Sequence, residues 1–384
     1  MNRPAPPQDR IPLTRPDTGP RALEEVQAAL ASGWLSTGPR AAAFEAAVAA
    51  RLGPGIQTVA VASCTDGLRL ALRARGIGPG DEVITPTWTF TATAESIAAV
   101  GARPVFVDVE AATLNIDPVA VAAAITPRTA AILPVHFAGV PVAMASLAVI
   151  AEQHGLALVE DAAHAFGASI GGRAVGAWPG SLACFSFHAT KNLSCGEGGM
   201  VTTDDPELAA RLRRWTRHGR RTGFDPGRPW RYDVIERGDK CNLSDLHAAV
   251  GLGSLERFDG GQARRARLEE RYRAGLAALP ISLPPLLAAP VRSAMHLFVI
   301  RLSTDAPIDR DALALALRDR GIETAVHFWP LHRMTLWRDQ LGCDPERFPV
   351  AEQAADRVLS LPFHAALSDA DQDRVIRAVR ELLA

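Results

Sequence analysis

The 384-residue chain sets 41 Lys+Arg against 42 Asp+Glu, a net charge of -1, with 48% hydrophobic and 22% charged residues. That balance excludes intrinsic disorder and any global field for nucleic acid or an anionic membrane, while leaving local anion pockets open. The length suits two domains and excludes a small stapled scaffold.

Glu95 and Arg103 interrupt the longest apolar stretch, so no segment reaches the roughly 18 apolar residues of a membrane helix. The Pro-rich stretch over residues 1–20 lacks the apolar core of a signal peptide, and a cytoplasmic location is expected. Cys64, Cys184, Cys195, Cys241 and Cys343 show no C-x-x-C pairing and read as free thiols, with neither zinc nor a disulfide framework indicated.

From residue 57 to 203, short β-rich runs alternate with Ala/Leu-rich amphipathic segments, the pattern of strands and crossover helices in an α/β unit with a largely parallel sheet. Strands are predicted at 58–62, 82–85, 104–107, 130–135, 157–160, 182–187 and 200–203, with helices between them. After Leu243 the chain reads as helix to residue 279, then as an apolar Pro-rich connector over 280–290, then as a strand at 296–302. Helical patterns at 309–320 and 369–383 flank extended runs near 324–328 and 358–361, which make a compact α+β unit. The expected division is a large α/β domain with an N-terminal arm over 1–255, and a linking helix with a small C-terminal domain over 256–384. No fixed-period repeat is present.

Lysine occurs only at Lys191 and Lys240, so the other 39 basic residues are arginine. A guanidinium stays charged and forms no Schiff base, so a retained lysine marks either a need for a deprotonable amine or chance survival under a coding bias. Lys191 lies in L-A-C-F-S-F-H-A-T-K-N-L-S-C-G-E-G-G, just beyond the carboxyl end of an apolar strand. Ligands of parallel α/β sheets bind at that end, which makes Lys191 a candidate for covalent chemistry; the alternative is a solvated loop lysine.

Asp161 ends a second apolar strand in L-A-L-V-E-D-A-A-H-A-F-G. A carboxylate there either pairs with the protonated pyridine nitrogen of pyridoxal phosphate (PLP) or caps a helix, and His164 either meets a cofactor ring oxygen or fills a polar corner. V-A-S-C-T-D-G-L-R-L-A-L-R-A carries a strand into a helix through Ser63, Cys64, Thr65, Asp66 and Gly67, a turn that suits a phosphate or an ordinary helix cap. It has neither G-x-G-x-x-G nor a Walker lysine, so a nicotinamide dehydrogenase or other nucleotide fold fits poorly. Trp88 and Phe90 in P-T-W-T-F-T-A-T share one face if extended, where a ring either covers a flat cofactor or packs in the core.

Together these blocks, with G-I-G-P-G-D-E-V-I-T-P, G-A-R-P-V-F-V-D-V, H-L-F-V-I-R-L and the closing L-S-L-P, resemble the DegT/DnrJ/EryC1/StrS family of PLP-dependent sugar aminotransferases. The segment around Lys191 and K-x-N-L-x-D-L look most like the branch that includes UDP-4-amino-4-deoxy-L-arabinose aminotransferase. The resemblance implies an aspartate aminotransferase-like, fold-type I architecture. It implies that Lys191 forms the Schiff base with PLP, Asp161 contacts the pyridine nitrogen and His164 lies near the ring oxygen. It assigns Thr65, Asp66 and Ser186 to the cofactor phosphate, Phe90 to the ring face, and Asn242 to the phosphate of a neighbouring subunit, hence a homodimer with shared sites. His327 and Lys240 are candidate substrate-side residues. The implied substrates are glutamate and a nucleotide-linked ketosugar, with a ketocyclitol as the alternative acceptor and a PLP-binding protein without turnover as the reading from another class. Cys241 replaces a common tyrosine and Asp239 stands at a position often aromatic or apolar, departures that point to a different sugar. Lys191 argues against the family's dehydratases, which carry histidine there.

Overall fold

The computed structural model describes residues 10–384; residues 1–9, part of the Pro-rich stretch, lie outside the described residues. Seven strands form the main sheet in the spatial order Gln57–Val61, Gly199–Thr203, Leu182–Ser186, Ala157–Asp161, Thr129–Ile132, Glu82–Pro86 and Arg103–Val107. Only Gly199–Thr203 runs against its neighbours; the other six strands share one direction. The sheet is buried on both faces, and strand alternation sorts the two cores. Val59, Val61, Cys184 and Val201 face Leu68, Leu72 and Trp215 on one side. Ala60, Ala183, Phe185 and Met200 face Phe44, Val48 and Phe258 on the other.

The predicted strands recur with ends shifted by a residue or so, except near 130–135. There the strand stops at Ile132, because Pro134 has no amide to donate and Val135 makes only an isolated bridge to Asp161. The extended run near 324–328 holds no strand, only the isolated bridge of Ala325 to Ser360. The connector at 280–290 contains the short strand Ile281–Ser282, which pairs with Phe298–Leu302, and this in turn with Val358–Leu361. A hairpin of Arg220–Thr222 and Tyr232–Val234, with no apolar alternation to signal it, is an additional element.

A 32-residue helix, Asp245–Leu276, about 48 Å long at 1.5 Å per residue, joins the two cores. Phe258 packs with the sheet, whereas Leu268, Tyr272 and Leu276 pack with Phe298, Leu361 and Val379 of the C-terminal unit. The 255/256 division therefore falls inside a continuous helix. Asp245 begins this helix and also starts another: its carboxylate accepts from the amides of Gly38 (2.7 Å), Ala41 (2.9 Å) and Arg40 (3.1 Å), where Pro39–Leu52 has no cap of its own. The N-terminal arm joins the C-terminal core, with Ile11 2% exposed there and hydrogen-bonded to Gly321 and Glu323. Among the described residues no helix is long and apolar enough to cross a membrane.

Helix Gly19–Ser32 lies against the long helix at Gly253, where a Cβ would stand 2.4 Å from the Ala22 amide nitrogen. Gly253→Ala is expected to force these backbones apart and destabilise the fold by about 1–3 kcal/mol, read from denaturant unfolding against wild type.

Candidate active site

The carboxyl ends of the parallel strands open into a cavity of about 400 Å³, within the roughly 300–1,000 Å³ of small-molecule sites. Asp161 and Ser186 end their strands on its wall, Thr89 and Phe90 follow Glu82–Pro86, and Ser63, Cys64 and Thr65 follow Gln57–Val61. Lys191 enters from the turn after Leu182–Ser186, its amide donating to the His188 carbonyl at 2.9 Å. His164, His327 and Phe328 complete the wall with Leu13 and Thr14 of the N-terminal arm.

Burial acts on the two charged groups in opposite directions. It lowers the Lys191 ammonium to about 8, although Cys64 and Asp161 oppose this, so a minor but appreciable fraction of the amine, roughly a tenth at pH 7, is neutral. Burial raises the Asp161 carboxyl above its usual range, opposed by the hydroxyl of Thr93, which donates at 2.8 Å, and the amide of Ala163, at 3.1 Å. Thr89 is hydrogen-bonded to Thr93 at 2.7 Å, which fixes that hydroxyl in turn. Asp161 is thus held by a hydroxyl and an amide rather than by a cation, a buried carboxylate turned toward a cavity.

Three neutral imidazoles stand opposite. His164 is held far below its ordinary pKa, first by burial and then by the charges of Lys191 and His327. Its Nδ1 accepts from the Ala138 amide at 3.3 Å, which leaves the proton on Nε2. His296 lies 4.5 Å away ring to ring, and its Nδ1 meets Asn192 Oδ1 at 3.0 Å. His327, lowered to about 4 by burial and by Lys191, hydrogen-bonds Ser360 at 2.8 Å. Phe90 is 60% exposed at the cavity mouth and Trp88 fully buried, so only the former can cover a ligand.

Ser63 caps Cys64–Ala74 by accepting the Asp66 amide at 3.1 Å, and the helix presents its first-turn amides to the cavity. Gly199 allows this approach: a Cβ there would lie 2.7 Å from the Cys64 amide nitrogen. Asp66 departs from the expected placement. Its carboxylate is absent from the wall, accepting from the Ser63 hydroxyl (2.9 Å) and pairing with Arg69 (3.2 Å). Lys240 and Asn242 also lie off the cavity of their own chain, hydrogen-bonded to each other, with Asn242 donating onward to Thr37. Asp239 pairs with Arg69 (3.0 Å) and Arg73 (3.4 Å), and Cys241 is buried in the core, so neither faces the cavity. Thr89, His296 and Phe328 on the wall, and Thr93 behind Asp161, are residues that motif reading missed; the two threonines share a block with Phe90 and His296 opens H-L-F-V-I-R-L, but nothing in either string marks them.

The model of the DegT/DnrJ/EryC1/StrS aminotransferase family matches residues 16–380. The chain belongs to this family. The spore coat polysaccharide biosynthesis protein SpsC of Bacillus subtilis (strain 168) is 43% identical over 379 residues, covering 97% of each chain. A Streptococcus pneumoniae protein described as a sugar aminotransferase, Spr1654, solved in its PLP-form, is 32% identical with a TM-score of 0.90, covering 98% of this chain and all of its own. DesI, solved in the presence of its TDP-sugar product, is 36% identical with a TM-score of 0.86, covering 98% of this chain and 94% of its own. The α/β fold with its mostly parallel sheet is therefore that of the PLP-dependent family members, as expected, and PLP is the cofactor.

The residues present fit PLP. A buried carboxylate without a cation suits a protonated pyridine nitrogen, the amine lies in the same cavity, and free helix amides suit a phosphate. Because the neutral fraction of Lys191 falls about tenfold per pH unit below its pKa, PLP uptake by cofactor-free enzyme should accelerate with pH and level off above about 8. Stopped-flow absorbance across pH 6 to 9.5 checks this; a flat profile contradicts it.

Proposed function

We propose that this family member moves the amino group of glutamate to the keto carbon, C4, of a nucleotide-linked hexose or pentose and so makes an amino sugar. The observation that carries the reading is the buried amine of Lys191, its pKa lowered to about 8, in one cavity with the Asp161 carboxylate that no cation pairs with. When bound, PLP supplies an aldehyde that condenses with amines and a ring that accepts electrons from the adjoining carbon. Asp161 holds the ring nitrogen protonated, and Thr93 and Ala163 hold Asp161. Lys191 Nζ carries a proton away from the donor carbon and delivers it to the neighbouring carbon, a task suited to an amine that titrates near 8. His164 offers its Nε2 proton to the ring oxygen, while Thr65, Ser186 and the helix amides take the phosphate.

Phe90 covers the ring and His327 faces the sugar. The position of Asn242 and Lys240 outside their own cavity supports a homodimer in which they serve the neighbouring site. Five free cysteines support a cytoplasmic location. SpsC and DesI, by their names, act in polysaccharide assembly and on a TDP-sugar, which supports a nucleotide-linked acceptor.

Lys191→Ala is expected to lose the visible absorbance of the lysine-linked cofactor and at least a hundredfold in turnover, about the contribution of a general base. Borohydride reduction and peptide mapping of wild type should place the adduct at Lys191; an adduct elsewhere rejects the assignment. Incubation with PLP, glutamate and a panel of ketosugars and ketocyclitols, read by NMR of the aminated carbon, should give C4-amino nucleotide sugars. Exclusive amination of cyclitols rejects the proposed acceptor.

A further inference from the structure

Lys191 and His296 share the wall of the main cavity, and each presents to it a nitrogen that meets nothing. Among the described residues neither Lys191 Nζ nor His296 Nε2 has a hydrogen-bond partner. The protonation of His296 follows from its neighbours. Asn192 Nδ2 donates to the Ala294 carbonyl at 2.6 Å and to Gln262 Oε1 at 3.3 Å, while Gln262 Nε2 donates to the same carbonyl at 3.1 Å. These bonds orient both amides, so Asn192 turns its oxygen to His296, and the 3.0 Å contact between them is donated by Nδ1. His296 therefore carries a lone pair on Nε2, the reverse of His164, whose proton lies on Nε2. Ala138 sets both histidines from the left-handed region, φ 55°: its carbonyl accepts from the His296 amide at 3.0 Å and its amide donates to His164 Nδ1 at 3.3 Å.

We propose that His296 Nε2 is the resting acceptor of the Lys191 amine whenever that amine is not bonded to the cofactor, and that Asn192 is the positioning residue that keeps this nitrogen unprotonated. Lys191 precedes Asn192, whose side chain already reaches the imidazole, so the flexible lysine stem starts one residue away from it. A donor and an acceptor left unpaired in a poorly solvated site cost free energy that a bond between them recovers. Burial, then His164 and then Lys191 hold His296 far below its ordinary pKa, so the acceptor stays neutral. The other titratable or charged groups acting on the pair are Asp161, Cys64, His327 and Arg265. A neutral acceptor gives the amine a partner other than Asp161, which stays available to the ring nitrogen, and leaves the lone pair of Nζ free to take a proton. The inference rests on Lys191 as the amine that bonds the cofactor.

Enzyme loaded with pyridoxamine 5′-phosphate, which has no aldehyde, leaves Lys191 free, and with lysine only at 191 and 240 a 13Cε-lysine label gives two NMR signals to titrate. A hydrogen bond accepted from the ammonium raises its pKa, so His296→Phe should lower the Lys191 midpoint by about one pH unit and leave Lys240 in place. His296→Gln, whose side-chain carbonyl still accepts, should keep most of the wild-type midpoint, which separates a lost acceptor from a drier pocket. Asn192→Leu, which frees the His296 proton to move to Nε2, should lower the midpoint by less than His296→Phe. In wild type, with no variant needed, 15N-histidine spectra should place the His296 proton on Nδ1. Equal midpoints in wild type and His296→Phe, an equal fall in His296→Gln and His296→Phe, or a wild-type His296 proton on Nε2 overturns the proposal. A borohydride adduct away from Lys191 rejects instead the assignment of the amine, and leaves these midpoints untouched.

Discussion

Lys191 and Asp161 are buried in the same cavity without forming an ion pair, and the rest of the site is arranged around that unsatisfied opposition. Had they met, each would have stabilised the charge of the other, leaving a charged lysine unable to act as a nucleophile and a carboxylate with nothing to offer a cofactor. Their separation follows from topology. Each sits at or just past the carboxyl end of one of two adjacent parallel strands, Ala157–Asp161 and Leu182–Ser186, and Cys64 stands beside the Asp161 carboxylate. The Thr93 hydroxyl and the Ala163 amide then donate to the carboxylate and oppose the upward push of burial, and Thr89 fixes Thr93.

What the sequence disclosed follows the same logic. Asp161 was legible because it ends a continuous apolar strand, and Lys191 because it lies just past another and an amine among 39 arginines is conspicuous. The parallel sheet was legible from alternating periods of two kinds of element, although the reversal of Gly199–Thr203 was not, since direction leaves no trace in hydropathy. Trp88 and Phe90 share a two-residue spacing, and only tertiary packing sends one to the core and the other to the cavity mouth. His296 and Phe328 reach the site from more than 100 residues beyond Lys191, a proximity that local pattern does not encode. Asp66 shows the converse: a motif position whose carboxylate is taken up by Ser63 and Arg69 to begin a helix.

The long helix Asp245–Leu276 explains how two cores cooperate around one cavity. Its first residue organises Pro39–Leu52, its middle supports the sheet, and its last turns carry the C-terminal unit. Arg265 on this helix is buried and donates to the carbonyls of Met295, His296 and Phe363, so the strand-entry segment bearing His296 is set directly by the helix. That histidine is then hydrogen-bonded to Asn192, the residue following Lys191. A continuous chain of hydrogen bonds thus runs from the linking helix to the turn that presents the amine.

The arm at Ile11 and Leu13 has a further consequence for how such a chain matures. The Leu13 amide is bonded to Glu323, 310 positions away, and the Pro12 carbonyl to His364, 352 positions away. On the ribosome these early residues lack those partners until Glu323 and His364 have emerged. Closing so large a loop is slow, so the sheet can consolidate first and the arm docks last. Because Leu13 and Thr14 wall the cavity, a nascent enzyme acquires its finished pocket only after the segment bearing Glu323 and His364 has been made.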